Sequence, residues 1–129
     1  MATAGAMRAF LQPGAQHFLS PFLMKGMKEA TALLRQAKEE GWRVALFGDY
    51  DADGIGALSV LSRALQRFGI EPYLYVPERS AGYGMSIAAL DKIFDEFMPD
   101  LIVTVDCGIS CAAEVAYAQD PGAYAIATD

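Results

Sequence analysis

Trp42-Arg43-Val44-Ala45-Leu46-Phe47-Gly48-Asp49-Tyr50-Asp51-Ala52-Asp53-Gly54 passes from an apolar run straight into three alternate aspartates closed by a glycine. The run Trp42 to Phe47 is short and nearly continuous in apolar residues, the pattern of a strand buried on both faces. Ile55, Leu58, Leu61, Leu65 and Phe68 follow at helical spacing and stop at Gly69. Strand, acidic loop and helix in that order are the opening of a parallel α/β sheet.

Working outward, the alternation continues. Pro72 to Val76 is strand-like and Pro77 ends it, and residues 78–84 form a glycine-bearing loop. Ser86 can cap a helix through Ala89, Leu90, Ile93 and Phe97, which Pro99-Asp100 breaks. Leu101-Ile102-Val103-Thr104-Val105 is the clearest buried strand, and Asp106-Cys107-Gly108 follows it. Ser110 is the expected cap of a helix through about Tyr117, and Ala123 to Ala127 is a final strand. Upstream, Ser20-Pro21 reads as a cap and first helical position. From it Phe22, Leu23, Met27, Ala30, Leu33, Leu34 and Ala37 recur at helical spacing until Gly41. Residues 1–19 carry no clear period and are expected to be an irregular lead-in to a domain over 20–129.

The order α-βα-βα-βα-β predicts an α/β fold with right-handed crossovers. In such sheets ligands bind beyond the carboxyl ends of the strands. Asp49 to Asp53, Asp106 and Asp129 all fall at those ends, so three distant segments are expected to converge on one rim. Clustered carboxylates repel one another unless a cation neutralises them. The pattern therefore predicts a divalent-metal site and phosphate or water-activation chemistry.

Composition sets bounds. At 129 residues with 53% hydrophobic content, the chain is one domain or part of one. No apolar run reaches the roughly 18 residues of a membrane span. The N-terminus shows no signal-peptide pattern, so the expected compartment is the cytoplasm. Cys107 and Cys111, the two cysteines, have neither redox C-x-x-C spacing nor a second pair for zinc, and are read as semi-buried thiols. A net charge of −6 argues against a free-standing nucleic-acid clamp. It does not exclude an enzyme acting on nucleic acid, because bound cations reverse the local sign.

The acidic loop admits several readings. An EF-hand loop also opens D-x-D-x-D-G, but its twelfth position needs a bidentate glutamate and here holds Val60. Asp51-Ala52-Asp53-Gly54 resembles the opening of haloacid-dehalogenase-type phosphatases, but their nucleophile sits directly at the strand end. Here Gly48-Asp49-Tyr50 intervene, and Ile55 replaces the usual threonine or valine.

The broadest resemblance is to the DHH phosphoesterase superfamily. Phe47 to Gly54 resembles the first motif of RecJ-type exonucleases. Val76-Pro77-Glu78-Arg79 with Gly82-Tyr83-Gly84 is similar to their V-P-x-R … G-Y-G segment. Val103 to Ser110 resembles their second motif, and Ala127-Thr128-Asp129 the start of the third. Leu19 to Met27 resembles the lead-in to their catalytic core, so the likeness covers about residues 10–129.

The resemblance implies a three-layer αβα DHH domain, cut after its fourth strand. It also implies two Mn²⁺ or Mg²⁺ ions, roughly 3.5–4 Å apart, for phosphodiester hydrolysis. Asp51, Asp53 and Asp106 would be metal ligands, and Asp49 an auxiliary acid group in the same loop. Asp129 would orient a ligand. Arg79 would grip a substrate phosphate with its guanidinium fork. Gly82, Tyr83 and Gly108 would border the substrate, with Tyr83 able to stack on a base. Gly54, Gly56 and Gly108 suit tight strand-to-helix turns.

Three departures stand out. No His-His follows Asp129, Phe47 replaces a histidine common in the superfamily, and the loop from Arg79 to Gly82 is about a residue short. The chain thus reads as an N-terminal piece of a catalytic core, with little activity alone. The implied activity of the parent is 5′-to-3′ degradation of single-stranded DNA in repair and recombination. Other repair or replication proteins are possible partners, and a membrane is not. The alternatives are an oligonucleotide or cyclic-dinucleotide phosphodiesterase and a non-catalytic replication scaffold. Residues encoded after Asp129 would discriminate them.

Overall fold

Four strands pair in parallel in the order β2-β1-β3-β4: β1 Val44–Gly48, β2 Tyr73–Tyr75, β3 Leu101–Val105 and β4 Tyr124–Ala127. The structure is a computed structural model and describes residues 3–82 and 84–128. β1 and β3 are buried at every position, as their continuous apolar runs require. Their register places Val44 against Leu101 and Gly48 against Val105.

Helices cover both faces. Ala45, Phe47 and Ile102 pack with Leu90 and Ile93 of α4 (Ile87–Phe97) and Ala118 of α5 (Ala112–Gln119). Residues alternate along a strand, so Gly48 faces the other way. A Cβ there would touch Leu58 of α3 (Ala52–Phe68) at 3.2 Å, which places α3 on the opposite face. Leu90 and Ile93 are fully buried, each contributing about 1.5–3 kcal/mol of hydrophobic stabilisation. The expected three-layer α/β arrangement is present.

Several boundaries differ from expectation. Ser86 caps α4 as predicted, its Oγ accepting from the Ala89 N–H at 3.3 Å. Cys111 rather than Ser110 occupies the cap of α5, with no side-chain cap bond. The Cys111 N–H instead donates to the Gly108 carbonyl at 3.0 Å, so the turn after β3 sets the helix start. Ile55 and Phe68, assigned to the apolar stripe of α3, are 48% and 38% exposed, and Lys38 covers the Phe68 ring at 4.6 Å.

The chain divides into two compact units, 1–32 and 33–129. The segment expected to be irregular holds helix α1 (Ala4–Leu11), whose cap Thr3 accepts from the Ala6 N–H at 3.2 Å. None of α1 is buried, so local capping and alanine propensity rather than packing define it. His17 accepts the Gly14 N–H through Nδ1 at 3.1 Å, a local structural role. Ser20 precedes only a 3₁₀ turn, Pro21–Leu23, and makes no side-chain cap bond. Gly26 at φ +77° separates that turn from α2 (Met27–Glu40), so the helix starts later than predicted. Among the described residues no helix is long and apolar enough to cross a membrane.

Candidate functional site

The helix leaving β1 runs to one face of the sheet and the helix leaving β3 to the other. These two strands are neighbours, so their carboxyl ends flank a topological switch point, where open α/β sheets bind ligands. The first and second acidic segments emerge there side by side.

Asp49 is the first residue past β1. It is 0% exposed, and neither carboxylate oxygen has a hydrogen-bond partner. The loop holds it there by doubling back. A Cβ on Gly54 would lie 2.6 Å from the Asp49 carbonyl oxygen and 2.8 Å from its backbone nitrogen, so only glycine admits this approach. A buried carboxylate without donors is costly and calls for a cation or another compensating group. The hard oxygen donors of this loop suit Mg²⁺ or Mn²⁺.

Asp51 caps α3. Its Oδ1 accepts from the Asp53 N–H at 3.1 Å and the Gly54 N–H at 2.9 Å, satisfying two of the helix's first amides. Asp53 is exposed in the first turn, where the helix dipole favours an anion. Asp106 is half-buried and stands at φ +57°. Asparagine and aspartate tolerate this left-handed conformation better than most residues, but it still costs about 1–2 kcal/mol.

Gly108, expected beside substrate, is buried at φ +99°, and a Cβ there would lie 2.5 Å from Thr104 Oγ1. That gives it a turn and packing role. Arg79 is exposed, with its guanidinium over the Tyr50 ring at 5.0 Å, so the V-P-x-R loop reaches the first acidic loop. Gly82 is exposed at φ +93°. Tyr83 and Asp129 lie outside the described residues.

The rim therefore gathers Asp49, Asp51, Asp53 and Asp106 without drawing them into a ligand set. Among the described residues no three acidic, histidine or cysteine side chains are grouped closely enough to hold a metal. Cys107 is buried and Cys111 half-buried.

Two contributors escaped the sequence reading. Thr104 is 2% exposed and donates from Oγ1 to the Cys107 carbonyl at 2.8 Å. Tyr50 supplies the platform under Arg79. A lone hydroxyl inside the apolar run 101–105 was the available signal for the first.

Residues 43–129 match the family model described as the DHH family, N-terminal domain. The chain is 38% identical over 128 residues to the single-stranded-DNA-specific exonuclease RecJ of Bacillus subtilis, covering 98% of this chain and 16% of that protein. A crystal structure of exonuclease RecJ bound to manganese superposes with a TM-score of 0.77 at 35% identity, over 87% of this chain and 29% of that one. RecJ from Thermus thermophilus in complex with Mg²⁺ superposes at 0.53 with 32% identity, over 79% and 12%. The chain thus spans about one sixth of the curated relative's length.

Proposed function

The chain belongs to the DHH family, N-terminal domain, and from that premise we propose that it forms the carboxylate-bearing part of a metal-dependent exonuclease that degrades single-stranded DNA from 5′ to 3′. The observation that carries this is Asp49, a fully buried carboxylate with no donor, set at the switch point beside Asp106. The exonuclease relatives, and the manganese and magnesium in their structures, support the same reading.

Bound divalent ions would supply an activated water and neutralise charge developing on the phosphate. Asp51, Asp53 and Asp106 would hold them, with Asp49 closing the inner side. Asp51 would serve through its second oxygen while Oδ1 keeps α3 capped. Arg79, steadied on Tyr50, would orient a phosphate over the rim. Asp129 and Tyr83 keep their expected roles, as ligand orienter and base-stacking ring. Repair and recombination of DNA, with partners from those processes, is the setting this activity fits.

The test is Mn²⁺ binding by electron paramagnetic resonance, paired with cleavage of end-labelled single strands. Asp106→Ala is expected to weaken Mn²⁺ binding, and unchanged affinity would sink the metal assignment. Turnover by this chain is expected to be slow, with cleavage at high protein concentration starting from the 5′ end. Release from the 3′ end, or cleavage that persists in EDTA, would defeat the exonuclease reading.

A further inference from the structure

The turn that presents Asp106 is knotted to the end of β4 through one residue. Thr104 Oγ1 donates to the Cys107 carbonyl across the turn. The Thr104 carbonyl accepts twice from Thr128, from its N–H at 3.2 Å and from its Oγ1 at 2.7 Å. Gly108 lies against the Thr104 side chain, where no Cβ would fit. Between these anchors Asp106 is held at φ +57°. A strained backbone of this kind persists only where its surroundings over-determine it.

We propose that Thr104 is a positioning residue for the metal site. It fixes the aim of the Asp106 carboxylate and ties it to the segment leaving β4. The proposal rests on the metal-site reading above. The hydroxyl carries the argument, because it is the only polar side-chain group in β3. Valine would fill the same space and lose only the bond to Cys107. Groups that orient metal ligands typically change metal affinity by roughly 10–100-fold when removed.

The experiment compares the wild-type chain with Thr104→Val and Thr104→Ser by Mn²⁺ titration and by amide hydrogen exchange without metal. Thr104→Val is expected to bind Mn²⁺ about 10-fold more weakly. Thr104→Ser, which keeps the hydroxyl, is expected to restore most of the affinity. The Cys111 amide is expected to exchange faster in Thr104→Val, since its bond to the Gly108 carbonyl closes this turn. Equal Mn²⁺ affinity in wild type and Thr104→Val would overturn the proposal, as would failure of serine to rescue.

If the wild-type chain binds no Mn²⁺, the functional reading and the proposed effect on affinity fall together. Exchange then decides separately whether Thr104 holds the turn, and unchanged protection overturns that too. Should Thr104→Val not fold, Thr128→Val, at an exposed position, removes the separate bond from Thr128 Oγ1 to the Thr104 carbonyl and leaves Thr104 itself intact. Unchanged affinity and exchange in that variant would overturn the link to β4.

Discussion

Both ends of the sheet are acidic, and they treat their carboxylates in opposite ways. At the amino end, the Asp100 carboxylate accepts from the Arg43 N–H at 2.7 Å and faces its guanidinium at 3.8 Å. Asp91 accepts from the Tyr117 hydroxyl nearby. These groups line a cavity of about 590 Å³ with Asp95 and Asp120, yet the chain supplies donors for Asp91 and Asp100. At the carboxyl end, Asp49 is more deeply buried than any of these and has no donor. Cavity size and acidity alone would have favoured the amino end. The unmet demand of one carboxylate points to the other.

The largest expected effect strikes the loop that imposes this difference. Gly54→Ala forces a Cβ into the Asp49 backbone and is expected to cost about 3 kcal/mol in urea unfolding. At Gly122, beside the amino-end cavity, a Cβ meets nothing, and Gly122→Ala should cost only the left-handed strain, about 1 kcal/mol. Equal costs would show that Gly54 is not closely packed.

Asp49→Asn sharpens the contrast by its sign. Relieving a buried, donorless carboxylate is expected to stabilise the metal-free chain by about 2 kcal/mol in EDTA. The same variant should lose the stabilisation that Mn²⁺ gives the wild type. Destabilisation in EDTA would mean that the carboxylate is satisfied after all.

Asp100→Ala removes a half-exposed acceptor and is expected to cost about 1 kcal/mol. Mn²⁺ affinity should not change, and a drop would erase the functional division between the two ends.

The smallest effect is alkaline. Hydrogen bonding to Asp91 raises the Tyr117 pKa, and hydrogen bonding to Glu96 does the same for Tyr73, assisted by burial. Both folded values lie above the ordinary 10.0. Their contribution is therefore complete below about pH 10 and fades as pH rises through the folded values. Absorbance titration of tyrosinate should show one late-ionising group fewer in Asp91→Asn than in wild type.

The strands were legible because burial on both faces leaves an unbroken apolar signature, and Leu101–Val105 matched residue for residue. The acidic loops were legible because parallel topology puts their chemistry at strand ends. The start of α2 was not, since Ser20-Pro21 carries the same signals before a 3₁₀ turn as before a helix. Nor was Asp49's isolation, which depends on Gly54 folding back over it. Thr104 was hidden for a similar reason. Its partner Cys107 is near in sequence, but Thr128 is 24 residues away.

The register that joins Gly48 to Val105 also dictates an order of events in folding. Central strand β1 must wait for β3, whose Leu101 partners Val44 across a long intervening chain. Pairing of this non-local kind is slow to nucleate. The acidic loops can meet only once β3 has docked, so the burial of Asp49 is completed late. Asp49→Asn should therefore slow unfolding while leaving the refolding rate nearly unchanged, a division that a chevron plot resolves. An equal change in the two rates would place the loops together already in the transition state.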